Sequence, residues 1–136
     1  LCVNTDVAGP VLGRDSVCVI GEVEAVNMIN SFAKEIGYSV RVAQSINSSD
    51  GIPFADLGIP AINFMRFGVP GSAYIHNRHD TLSFMSAKSL EKTGQFVQKV
   101  CDKIIASHVM PINRVIPQNM VDEVNKYLKK QNKKAN

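Results

Sequence analysis

Along the first half of the chain, apolar residues alternate between two periods. Leu1-Cys-Val-Asn-Thr-Asp6 reads as a strand running out to Asp6, followed by the breaker pair Gly9-Pro10. Ser16-Val-Cys-Val-Ile20 is a second short apolar run, ended by Gly21. From Glu22 to Ile36 the period becomes helical, with Val23, Val26, Ile29, Phe32, Ala33 and Ile36 on one stripe. Glu22 and Glu24 suit the positive end of that helix's dipole, and Gly37 is a natural stop. Tyr38–Gln44 then alternates with period two, which predicts a strand with one wetter face. The polar loop Ile46–Gly51 leads to a short helix over Ile52–Leu57, with Ser49 or Asp50 as cap and Gly58 closing it. Ile59–Phe67 is apolar almost throughout, the pattern of a strand covered on both faces. Pro60 is tolerable near its start.

In the second half, Ser86 is placed to cap a helix over Ala87–Ser107, whose stripe is Leu90, Val97, Val100, Cys101, Ile104 and Ile105. His108-Val-Met-Pro111 ends it, and Pro117 opens a last helix with Met120, Val121, Val124 and Leu128 on one face. There are no internal repeats. Strand and helix patterns in alternation predict an α/β layered architecture with a mostly parallel or mixed sheet. Residues 1–107 form the α/β part, and 108–136 read as a helical extension with a basic tail.

At 136 residues the chain is one domain's worth, short for a complete α/β enzyme. Since Leu1–Asp6 already reads as interior strand, the expectation is a piece of a longer protein that begins inside a fold, truncated on its amino-terminal side. No apolar run is long enough to span a membrane. The net charge of +3 comes from the tail: five lysines lie in the last eleven residues, leaving ten basic against twelve acidic residues elsewhere. Such a tail is a solubilising end or a contact for an anionic surface, and without interleaved aromatics it suggests no nucleic-acid partner. Cys2, Cys18 and Cys101 have no metal-type spacing and read as buried free thiols, which favours a reducing, cytoplasmic compartment.

The stretch Gly71-Ser-Ala-Tyr-Ile-His-Asn-Arg-His-Asp-Thr81 is the loop the rest is arranged to present, because it follows the most apolar strand and precedes the longest helix. His76, His79 and Asp80 lie in it; Asp6 and Asp50 lie in other loops after strands. An acid such as Asp6, at a strand end before a glycine turn, is a turn cap or a ligand. There is no G-x-S-x-G elbow, phosphate loop or dinucleotide fingerprint. Carboxylate plus imidazole on loops after strands is the donor set of a hydrolytic zinc site; the bland alternative is a set of solvated polar turns.

Three ordered blocks resemble one family: Asn4-Thr-Asp-Val-Ala-Gly9, then Ser49-Asp-Gly-Ile-Pro-Phe54 with Gly58-Ile-Pro-Ala61, then Ile75-His-Asn-Arg-His-Asp-Thr81. The family is the di-zinc exopeptidases of aminopeptidase Y and the bacterial leucyl aminopeptidases, and the likeness covers residues 1 to about 106. It implies a three-layer, zinc-exopeptidase-like α/β fold. It implies that Asp6 ligates one zinc and His76 the other, with Asp80-Thr81 completing the H-x-x-x-D-T motif. Within that motif His79 is a neighbour. Ser49 and Asp50 shape the loop beside the substrate pocket, and Asp80 orients His76 or caps the following turn.

Two departures accompany the likeness. Many relatives carry a tyrosine immediately before the ligand histidine, to stabilise the oxyanion; here Ile75 holds that place and Tyr74 stands one earlier. The family's first histidine, bridging aspartate and Glu-Glu pair precede the Asp6 block, and this sequence has none of them. The implied reaction is metal-assisted hydrolysis of a peptide with a free amino terminus. Two zincs activate a bridging water, and an upstream glutamate shuttles its proton. The resemblance therefore implies the carboxyl-terminal half of a zinc aminopeptidase, inactive alone and with no catalytic base of its own. Its expected partners are the missing amino-terminal half, peptide substrate and, through an unpaired sheet edge, further copies of itself. The alternative is a peptidase-like domain used for binding or assembly.

Overall fold

The computed structural model describes residues 1–68, 75, 76 and 78–129. Among them the elements run β1 (Cys2–Asp6), β2 (Arg14–Ile20), α1 (Val23–Glu35), β3 (Arg41–Gln44), α2 (Gly51–Asp56), β4 (Ala61–Phe67), α3 (Ala87–Ile105) and α4 (Gln118–Tyr127), with a 3₁₀ turn at Leu82–Phe84. The strands form one sheet in the order β1-β4-β2-β3. β1 runs parallel to β4 and β2 parallel to β3, whereas β2 and β4 are antiparallel, so the sheet is mixed. α1 supplies the crossover that the parallel β2–β3 pair requires.

Both faces of the sheet are covered, giving three layers. On one face Val17 and Val19 of β2 and Ile62 and Phe64 of β4 pack with Ala25, Val26, Ile29 and Ala33 of α1 and with Phe96, Val100 and Ile104 of α3. On the other, Ile20 and Ala61 pack with Ile52 and Ala55 of α2 and with Met120 and Val124 of α4. This double cover explains why β4 is apolar but for Asn63 and Arg66, with residues Ala61–Met65 all buried. No helix among the described residues is long and apolar enough to cross a membrane.

Several boundaries differ from the sequence expectations. β3 starts at Arg41, because pairing with β2 begins at the Ser16–Arg41 register. Tyr38 leaves the strand path to stack on Phe96, with ring centroids 4.1 Å apart, and donates its hydroxyl proton to Asp15 Oδ2 at 2.9 Å. Phe96 also meets Phe64 edge-on. α3 is accordingly turned so that Thr93, Phe96, Val100 and Ile104 face the sheet, while Leu90 and Ile105 of the expected stripe are exposed. Val23, in the first turn of α1, is half exposed. Ser86 caps α3 as expected, its Oγ accepting from the Ser89 amide at 3.1 Å. At α2 neither Ser49 nor Asp50 caps with its side chain; the Ser49 carbonyl accepts from the Ile52 amide instead. Gly58 closes that helix at φ +72°, a left-handed conformation natural to glycine. All three cysteines are free, but only Cys18 is fully buried. Partial burial pushes the Cys2 and Cys101 thiols up.

Two outcomes follow for stability. Met120 and Val124 are each 2% exposed between α4 and the sheet, so Met120→Ala should lower unfolding free energy by about 2–5 kcal/mol in urea titration. Burial, and then the hydrogen bond to Asp15, raise the Tyr38 phenol above its ordinary value. A raised folded-state pKa means a contribution present below the unfolded value and lost as pH climbs past it. Stability should therefore fall as pH is raised above about 10, and the urea midpoint of Tyr38→Phe should fall less between about pH 9 and pH 11 than that of the wild type.

Candidate functional site

The parallel pairing of β1 and β4 brings their carboxyl ends to the same side of the sheet, with Asp6 beside Met65 in register. The chain leaving β1 turns sharply there. Val7 sits at φ +47°, a left-handed conformation that a β-branched residue adopts under constraint. Its carbonyl accepts from the Arg66 amide at 3.1 Å. Farther along, the Gly9 carbonyl accepts from the Ser86 amide at 2.8 Å, and the Val11 amide donates to the Phe84 carbonyl at 2.9 Å. The turn after Asp6 is thus tied on one side to β4 and on the other to the segment that leads into α3.

Between these ties opens a cavity of about 900 Å³. Its wall contains Asp6 and the turn Val7–Pro10, the loop Asn47–Asp50 before α2, and Met65 and Phe67 from the end of β4. Ile75, His76, Asp80, Phe84 and Met85 complete it. Asp6, Ser49, Asp50, His76 and Asp80, read from three separate stretches of sequence, therefore share one cavity. His76 is exposed and has φ +62°, a region histidine tolerates. His79 is exposed and stands outside the described wall; its Nε2 accepts from Arg78 Nε at 3.3 Å. Tyr74 lies outside the described residues.

Three carboxylates and one imidazole at a cavity that also has apolar walls suit a cation and a partly apolar ligand together. As donors, Asp6 and His76 are of the types that zinc takes. Their number falls short: among the described residues no three His, Cys, Asp or Glu side chains are grouped so as to hold a metal ion. The described residues by themselves do not make a complete zinc site. Sequence reasoning missed the apolar wall of Met65, Phe67, Phe84 and Met85 and the role of Asn47, whose Nδ2 donates to Cys18 Sγ at 2.6 Å. The signal for Met65 and Phe67 was present in the strand alternation of β4, which directs both to one face.

Comparison with known proteins bears on this cavity. The model of peptidase family M28 matches residues 4–101. The crystal structure of BSAP, a zinc aminopeptidase from Bacillus subtilis, matches with a TM-score of 0.62 at 21% identity, over 85% of this chain and 31% of that one. At that identity the likeness is one of fold, and this chain spans about a third of the length of the Bacillus protein. No curated protein matches the chain in sequence.

The loop wall of the cavity depends on close packing at Gly51, where a Cβ would lie 2.5 Å from Asn63 Oδ1 and 3.0 Å from the Ala61 Cβ. Asn63 is fully buried in the central strand and cannot swing into solvent. Gly51→Ala should cost about 1–3 kcal/mol of stability by overpacking. Its amide chemical-shift changes should centre on Ser49–Ile52 and on β4.

Proposed function

The chain belongs to peptidase family M28, and from that premise we propose that it is the part of a zinc aminopeptidase that gives one donor to each of two zinc ions, Asp6 to one and His76 to the other. The single observation that carries this reading is that Asp6 and His76, distant in sequence, line the same cavity while His79 does not. The motif blocks Asn4–Gly9 and Ile75–Thr81 support it, as does the fold shared with a protein described as a zinc aminopeptidase.

Within the cavity the Asp6 carboxylate would supply an anionic oxygen and His76 a neutral imidazole nitrogen, the other imidazole position being free to take a hydrogen bond. Asp80, on the same wall, would orient that imidazole or cap the following turn, and Ser49 and Asp50 would border the bound peptide. The apolar side chains of Met65 and Phe67 would receive the amino-terminal residue of the substrate and exclude water around it. Zinc, when bound, supplies an activated water and a polarised peptide carbonyl. The remaining donors and the general base would come from residues outside these 136. On this reading the 136-residue chain alone hydrolyses nothing, and the substrate is a peptide with a free amino terminus.

The test uses the protein in which this sequence occurs together with the remaining donors. His76→Ala should abolish most hydrolysis of aminoacyl anilides and deplete one zinc position, whereas His79→Ala should keep more activity and full metal content. If His79→Ala were the dead, metal-depleted variant and His76→Ala worked normally, the assignment would be wrong. Full metal content without any hydrolysis in the wild type would point to a binding or assembly role instead.

A further inference from the structure

β4 sends Met65 and Phe67 into the cavity wall and, by strand alternation, the residue between them to the other face. That residue is Arg66, the one charged residue of the strand, with its side chain only 15% exposed. Its Nη1 lies 2.9 Å from Asp15 Oδ1, and Asp15 stands directly opposite it on β2 and is 5% exposed. The second oxygen of Asp15 accepts from the Tyr38 hydroxyl. Lys92 Nζ is farther from that oxygen, at 3.7 Å, and hangs over the Tyr38 ring. The other edge of the guanidinium points elsewhere: Arg66 Nε donates to the Pro10 carbonyl at 2.9 Å. The Arg66 backbone amide meanwhile holds the Val7 carbonyl.

Arg66 therefore grips both ends of the turn Val7–Pro10, the segment that begins immediately after Asp6 and holds the left-handed Val7. A rigid fork with donors along two edges can brace on Asp15 and reach Pro10 at once, which a single ammonium cannot do in the same geometry. Removing two charges from water is costly, and a hydrophobic pair of similar volume would serve the core as well or better. We propose that Arg66, braced by Asp15, is a positioning residue for Asp6: it clamps the turn against the sheet and so fixes where the Asp6 carboxylate stands at the cavity shared with His76. The clamp rests on the reading of Asp6 as a metal donor, and the experiment separates the two.

In the 136-residue chain, amide hydrogen exchange is followed residue by residue by NMR in wild type, Arg66→Lys, Arg66→Gln and Asp15→Asn, and zinc affinity is measured for the same variants of the longer protein that carries the remaining donors. Arg66→Lys keeps the charge opposite Asp15 but loses the second donor edge. It should keep a urea midpoint near that of the wild type, while exchange at the amides of position 66 and Val11 quickens about tenfold and the amides of β3 and α1 are unchanged. The zinc affinity of the longer protein should fall in the same variant, and further in Arg66→Gln and Asp15→Asn. Faster exchange spread evenly over the sheet, or unchanged exchange at the turn in Arg66→Gln, would overturn the clamp. Should Asp6→Ala leave the zinc content of the longer protein unchanged, the metal-donor reading fails, and with it the purpose assigned to the clamp. A local exchange change would still show Arg66 holding the turn.

Discussion

The cavity depends on β4 being held between a parallel neighbour and an antiparallel one. The parallel bond to β1 brings Asp6 level with Met65, so two strand ends open on the same side. The antiparallel bond to β2 then brings the start of that strand to the same place, pairing Arg14 with Phe67 and Asp15 with Arg66. A fully parallel sheet would put the carboxyl end of β2 there, with Ile20 instead of an aspartate. The mixed topology is therefore what lets a buried carboxylate stand behind the wall of a pocket whose front carries Asp6. The chain can leave β1 in a left-handed turn only because backbone bonds to Arg66 and to Ser86 hold the two sides of that turn.

Among the described residues the buried polar side chains are Asp15, Ser16, Asn63 and Thr93. Asp15 has its two oxygens divided between Arg66 and Tyr38, so an otherwise expensive buried charge is met from both sides. Tyr38 is itself fixed by its stack on Phe96. One continuous set of contacts thus runs from α3 through an aromatic pair and a carboxylate to the strand that borders the cavity. Packing on the helix side and geometry on the cavity side are linked through Asp15.

Much of the fold is legible in the sequence because burial on both faces writes an unmistakable pattern. Ile59–Phe67 reads as a strand covered on both faces, and Glu22–Ile36 as a helix with one apolar stripe. What escapes is whatever tertiary contact decides. The start of β3 depends on Tyr38 finding Phe96 and Asp15, which no local period reveals. The rotation of α3 depends on the same ring, and the stripe drawn through Leu90 and Ile105 is displaced from the real one. At the cavity, Asp6, Ser49, Asp50, His76 and Asp80 can be named because motif spacing marks them. The apolar wall and the Arg66–Asp15 pair carry no such mark: a single arginine in a strand says nothing until its opposite number in β2 is known.

The docking of α4 has a consequence for how the molecule is made. The family match ends at residue 101, yet Met120 and Val124 pack on the sheet face of Ile20 and Ala61, beside Ile52 and Ala55 of α2. The opposite face is complete once Ile104 and Ile112 are available. During synthesis, then, one side of the sheet can be sealed while the other is covered only by α2 until Val124 has emerged from the ribosome. For that interval the nascent chain is a half-covered sheet with an apolar surface open to chaperones or to neighbouring chains. The arrival of α4 is the step that ends its exposure.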